Sequence, residues 1–415
     1  MPFREHTLSN GLEIVAECHD QAYSTALGFF VRTGARDETP EIAGVSHFLE
    51  HMVFKGTPTR SAEDVNRELD EIGSHSNAFT SEEHTVYYAT VLPEYQEPAQ
   101  RLLSDILRPS LRDDDFETEK QVILEEILKY EDQPPFGAHE KCMSAYFAAH
   151  PLGHSILGTA ASITGLTPAA MRAYFQHRYC PANIALVAAG RVDFEHLVAV
   201  ARECCGHWPA VPASRPTPRL QPQYPFQVIT KESATQQYVV QIASGPSALD
   251  SDRYANRILA TILGDDSGSR MFWELVDTGK AECASMGAYE FDDAGINMTF
   301  LSCAPEEAQQ NLEKLREIQE QAVARGVTEQ ELQLAKSKIA SHLVLKSERP
   351  GNRLFAVGGE WIQRRDYQTV KESLQGYLAV TLDDLHRVLE RHPPTTTATL
   401  TIGPLEHLQP PHAAS

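Results

Sequence analysis

His47-Phe48-Leu49-Glu50-His51-Met52-Val53 lies inside an amphipathic segment, and reading it as a helix organises the rest of the chain. Placed at about 100° per residue, Ile42, Val45, Leu49, Met52 and Val53 form one apolar sector. His47, Glu50 and His51 fall together on the opposite side. Two imidazoles four residues apart project from neighbouring turns, close enough to share one cation, with Glu50 beside them. The spacing is H-x-x-E-H, the reverse of H-E-x-x-H, and both place a non-ligating Glu against the water of a catalytic zinc site. Such a run arises by chance in roughly one chain of this composition in twenty, so the reading needs further support. A catalytic zinc takes three protein ligands and keeps one open position, so a third ligand must come from elsewhere.

The segment from Phe116 to Glu131 supplies it. With Glu119 as origin, Val122, Ile123, Glu126 and Tyr130 lie within about 60° on one face. Glu125 falls with Thr118, Gln121 and Lys129 on the polar side, where it is expected to be solvated. A carboxylate on an inward, mainly apolar face is costly unless paired or bound to metal, so Glu126 is the expected third ligand. Glu119 lies about 10 Å earlier along the axis, too far to bind the same ion through a rigid helix. It is expected to orient a ligand or a substrate group.

The run His47 to Thr57, with Glu119 and Glu126 downstream, closely resembles the pitrilysin-type inverzincin metallopeptidases, in particular the branch of the mitochondrial processing peptidase β-subunit and its bacterial homologues. Asn77-Ala78-Phe79-Thr80-Ser81 with Tyr87-Tyr88, Pro151-Leu152-Gly153 through Thr159, and Tyr179-Cys180-Pro181-Ala182-Asn183 extend the likeness over nearly the whole chain. The resemblance implies one zinc per chain on His47, His51 and Glu126, with Glu50 as general base and Glu119 as a supporting acid. It also implies that the strand matching Ser76 to Thr80 pairs with extended substrate, which makes Asn77, Ala78 and Phe79 candidate substrate-binding residues.

The 415 residues, 42% of them hydrophobic, suffice for two domains with sizeable cores. No run of 18 apolar residues occurs, and Met1 leads into the strand-like Leu12 to Glu17 without a signal-peptide core, so a cytoplasmic location is expected. Seven cysteines with no C-x-x-C spacing point to reduced thiols rather than a disulfide framework. A net charge of −21 argues against nucleic acid and anionic membrane surfaces as partners.

Strands and helices mix without regular β-α-β alternation, which predicts an α+β fold. Prolines from Pro209 to Pro225 mark a linker, giving a peptidase domain over 1–208, a linker over 209–225 and a second domain over 226–415. The second half repeats the first. Val380 to Arg391 followed by Thr397 to Gly403 mirrors Leu166 to Gly190, Glu306 to Ala324 mirrors Pro93 to Leu107, and Thr328 to Val344 mirrors the helix of Glu119 and Glu126. The counterpart of the histidine helix, near Asn256 to Gly264, has no histidine pair, so metal is expected in the first half only. The resemblance implies two antiparallel-rich, helix-packed domains closing as half-shells over a peptide.

One departure concerns the second half. In relatives, an Arg and a following Tyr help hold substrate. Arg270 matches and is a candidate substrate-binding residue, whereas Cys283 occupies the Tyr position and Tyr289 lies nearby. The expected activity is zinc-dependent endopeptidase hydrolysis of unfolded or short polypeptides. The alternative is a catalytically silent or partner-dependent subunit serving as a peptide-binding or assembly module. The expected partner is an identical chain, or a homologous one lacking the zinc motif.

Overall fold

Strand β3 (Thr25–Val31) has the sequence TALGFFV and every residue of it is buried, as expected for a central strand covered on both faces. The computed structural model describes residues 2–411. β3 sits in a six-stranded sheet with β1 (Phe3–Thr7), β2 (Glu13–Cys18), β4 (His75–Thr80), β5 (Thr85–Val91) and β6 (Ile184–Gly190), in the order β1-β2-β6-β3-β5-β4. Only β2 and β6 pair in parallel; the other neighbours are antiparallel. On one face, Leu27, Phe29 and Val31 join Val45, Phe48, Leu49 and Met52 in the largest core cluster.

The second sheet has β7 (Phe226–Thr230), β8 (Gln237–Gly245), β9 (Cys283–Glu290), β10 (Gly295–Cys303) and β11 (Thr397–Gly403) in the order β7-β11-β8-β10-β9. This is β2-β6-β3-β5-β4 again, down to the single parallel pair, β7 with β11. The helices repeat as well: Val45–Val53 follows β3 as Arg253–Gly264 follows β8, and Asp113–Asp132 corresponds to Glu329–Ser347. The two halves are duplicates in topology, and the fold is α+β with two units.

Compactness nevertheless divides the chain differently from contiguous domains 1–208 and 226–415. One unit runs from the N-terminus to Lys129 and adds His154–Pro216 and Val344–Thr369; the other takes Tyr130–Gly153, Thr217–Leu343 and Val370 onward. The exchanged pieces are helices. Pro350–Arg364, which follows the linker, covers the second face of the first sheet, where Leu354, Val357 and Ile362 pack on Val15, Phe30 and Val187. Gly358 lets it approach: a Cβ there would stand 2.3 Å from the Phe30 ring. The Arg353 guanidinium, buried, donates to both carboxylate oxygens of buried Glu17, at 2.9 and 2.5 Å. Reciprocally, Ala138–Phe147 from the first half packs Cys142, Met143 and Tyr146 with Val240, Ile242 and Leu400 of the second sheet.

Residues 209–225 carry no regular element and are largely exposed, as their prolines predict. They are tethered at several points: Arg215 binds the buried Asp37 carboxylate at 2.8 Å, Ser214 O accepts from Arg178 Nη1 at 3.0 Å, and Pro218 O lies 3.0 Å from His150 Nε2.

Candidate metal centre

The helix Val45–Val53 enters from Gly44, whose φ of +90° and close approach to Leu157 O favour glycine. Two of the amide donors left unpaired at its start, Gly44 N–H and Ser46 N–H, donate to the buried Glu38 carboxyl at 2.6 and 2.7 Å. Burial pushes Glu38 up to about 8, against the pull of these two bonds. The buried apolar face, Val45, Phe48, Leu49, Met52 and Val53, leaves Glu50 and His51 only part-buried on the other side. His47 lies between the two faces and is 9% exposed.

The helix Asp113–Asp132 buries Phe116, Glu119, Ile123 and Ile127. This corrects the expected face, because Val122 and Tyr130 are 44% and 53% exposed. Glu126 therefore sits at the rim of the buried stripe, half-exposed, while Glu125 is exposed.

The two helices bring His47, His51 and Glu126 together, with one donor atom from each within 4.8 Å of the others. Glu126 Oε2 lies 3.9 Å from His47 Nε2 and 3.8 Å from His51 Nε2. Donors each about 2.1 Å from one tetrahedral centre would be about 3.4 Å apart, so Glu126 Oε2 would have to close by about half an ångström on each histidine nitrogen to share a zinc with them. Two imidazole nitrogens and a carboxylate are also the right donor chemistry. Among the described residues this is the one cluster of this kind.

Glu119 does not join that set. Its Oε1 accepts from His51 Nδ1 at 2.8 Å, which leaves His51 Nε2 facing Glu126. Its Oε2 is paired with Lys55 Nζ at 2.5 Å. The hydrogen bond to His51, with help from Lys55, holds Glu119 below the usual carboxylate range despite burial. Burial opposes protonation of His51, but the Glu119 carboxylate outweighs it and raises the histidine above its ordinary value. Burial drives His47 the other way, down to about 4, with His51 adding to the effect.

Glu50 is desolvated, which raises its pKa, and Oε2 accepts from the Thr80 hydroxyl at 2.6 Å. Thr80 ends β4, an edge strand that pairs on one side only, with β5. The candidate substrate residues Asn77, Ala78 and Phe79 lie on this strand. The Phe79 ring packs near Phe355 and His84, and Asn77 Oδ1 accepts from the Ala78 amide.

Arg270 belongs to the other compact unit. Its guanidinium is engaged by both Glu331 oxygens, at 2.7 and 3.0 Å, and by Gly326 O. It is a wall of an adjacent cavity of about 220 Å³ bordered by Trp273 and Leu334. Cys283 is the first residue of β9, half-buried, and Tyr289 is exposed on the same strand. Lys55 and Thr80 are contacts that helical periodicity does not reveal; the available signals are the i+4 spacing of Lys55 from His51 and the Asn77-to-Ser81 run.

Comparison with known proteins agrees with this architecture. Residues 14–160 match the family model described as Insulinase (Peptidase family M16), and residues 165–339 match the Peptidase M16 inactive domain. An uncharacterized zinc protease of Mycobacterium tuberculosis is 32% identical over 393 residues, spanning 93% of this chain and 89% of that protein. The chain belongs to peptidase family M16. A second relative in the family, an uncharacterized zinc protease of Bacillus subtilis, is 30% identical over 92% of this chain and 93% of its own length. The M16 fold is seen in a protease from Helicobacter pylori, with a TM-score of 0.90 at 21% identity over 97% of this chain and 99% of that one. It recurs in a peptidase M16 inactive domain structure from Pseudomonas fluorescens, with a TM-score of 0.91 at 18% identity over 99% and 100%. No helix among the described residues is long and apolar enough to cross a membrane.

Proposed function

We propose that this chain is a zinc-dependent endopeptidase that cleaves polypeptides bound in extended form along the open edge of β4. The observation that carries the reading is the convergence of His47 Nε2, His51 Nε2 and Glu126 Oε2, with the Glu50 carboxylate beside them on the same helix. The three donors would hold one zinc per chain. Bound zinc supplies Lewis acidity, which lowers the pKa of water and polarises a carbonyl. The remaining work belongs to the side chains. Glu50 takes the proton of the attacking water on the oxygen not occupied by Thr80, then delivers it to the leaving amine. Glu119 holds the His51 ring by Nδ1 so that Nε2 stays aimed at the ligand position. The open edge of Asn77 to Phe79 would add the substrate as a further strand once the Asn77 side chain gives up the Ala78 amide, which suits unfolded peptides. Arg270 is left out of this assignment because it would first have to release Glu331. Seven unpaired cysteines support a reducing, cytoplasmic setting.

The test is cleavage of mixed quenched fluorescent peptides by the purified chain, with and without a zinc chelator and beside Glu50→Gln. Cleavage sensitive to both supports a self-sufficient zinc peptidase. A second reading, a subunit dependent on a homologous chain, is favoured by Cys283 if it stands, as the family resemblance implies, where relatives carry Tyr. It predicts one bound zinc per chain and no cleavage until the partner is added.

A further inference from the structure

We propose that Lys55 is a positioning residue of the metal centre, holding Glu119 in the orientation that aims His51 Nε2 at the ion. This rests on the reading of His47, His51 and Glu126 as zinc ligands. Glu119 is 4% exposed, and a buried carboxylate needs a partner for each oxygen. One oxygen takes His51 Nδ1–H at 2.8 Å and the other faces Lys55 Nζ at 2.5 Å. Among the described residues, Lys55 is the one lysine or arginine paired with Glu119. Its backbone is pinned as well. The Lys55 amide donates to Met52 O at 3.2 Å, and its carbonyl accepts from Arg112 Nη2 at 2.5 Å. Arg112 immediately precedes Asp113–Asp132, so Lys55 joins the two ligand-bearing helices through both main chain and side chain.

The charge count gives the same role. A histidine that binds metal is neutral, so Glu50, Glu119 and Glu126 bring three negative charges against the two of zinc. The Lys55 ammonium balances the third, and it does so on the carboxylate that is not a ligand. An ordinary surface ion pair, by contrast, would leave metal affinity untouched.

The experiment measures zinc affinity of the full chain by competition with a chromophoric chelator, and thermal unfolding of the metal-free protein. Lys55→Met is expected to bind zinc about 10-fold more weakly; its metal-free melting should fall as well, because a buried Glu119 oxygen loses its cation, so zinc is titrated at a temperature where the metal-free variant is fully folded. Lys55→Arg is expected to recover most of the affinity, and Lys55→Gln, the second variant, to behave as Lys55→Met. In a Glu119→Gln background, Lys55→Met should add no further loss. If Lys55→Met and Lys55→Gln bind zinc as the parent does while Glu126→Gln does not, the Lys55 role falls and the zinc site stands. If the parent chain binds no zinc, both fall.

Discussion

The Thr80 hydroxyl donates to Glu50 Oε2 across 2.6 Å, tying the last residue of an open edge strand to the carboxylate beside the candidate metal ligands. The hydroxyl has one proton and spends it here, since the Thr85 hydroxyl nearby donates instead to Thr33 O. Thr80→Val removes a hydrogen bond to a charged acceptor without changing shape. It should lower kcat about 10- to 100-fold, leave KM and zinc content unchanged, and be rescued by Thr80→Ser. Steady-state kinetics on the three proteins check this.

Glu50→Gln should keep one zinc per chain and bind peptide as before, because Glu50 is not among the three converging donors. Turnover should drop by about 10²- to 10⁴-fold, the usual worth of a general base. A variant still working at half the parent rate would remove Glu50 from that role.

Glu126→Gln and Glu125→Gln separate two adjacent carboxylates that the helix turns about 100° apart. Zinc measured by mass spectrometry of the dialysed protein should fall in the first and stay at parent level in the second. Loss of zinc from Glu125→Gln would mean that the wrong face has been assigned.

Zinc binding should weaken with acid from a higher pH than an ordinary histidine would dictate. His51 is raised by Glu119, so its proton competes with the metal before the pH reaches the usual imidazole range. Glu119→Gln takes away that support, so in this variant the onset of proton competition should move to lower pH even though affinity at neutral pH is reduced. Isothermal titration with zinc across a pH series distinguishes the two effects.

Arg353→Met should be the most damaging of these changes to stability. Arg353 and Glu17 are both buried, and removal of the cation leaves an unpaired charge inside the unit. The expected cost is about 3–5 kcal/mol, part of it recovered in Arg353→Met with Glu17→Gln. Urea denaturation of the metal-free protein measures both.

Much of the site is legible in the amino-acid sequence, because a helix converts spacing into direction without any tertiary knowledge. The grouping of His47, Glu50 and His51 follows from i, i+3 and i+4 alone. The second helix is harder to read. Val122, Leu128 and Tyr130 are apolar yet exposed, so periodicity points to a face that packing does not bury. Glu126 emerges beside the histidines because it borders the stripe of Glu119, Ile123 and Ile127. The duplication is visible in the order of segments, but the exchange of Ala138–Phe147 and Pro350–Arg364 is not. An amphipathic pattern says that a face is covered, never which sheet covers it. Arg270 illustrates the same limit: its partner Glu331 lies on a helix 61 residues away in the chain.

The exchange of Pro350–Arg364 also has a consequence for synthesis. When Gly190 leaves the ribosome every strand of the first sheet exists, yet Val15, Phe30 and Val187 still lack the helix that covers them. At about 5–20 residues per second, that helix follows roughly 10 to 35 s later. Through that interval the nascent chain carries an uncovered apolar sheet face, and a chain truncated anywhere before Pro350 would keep it for good.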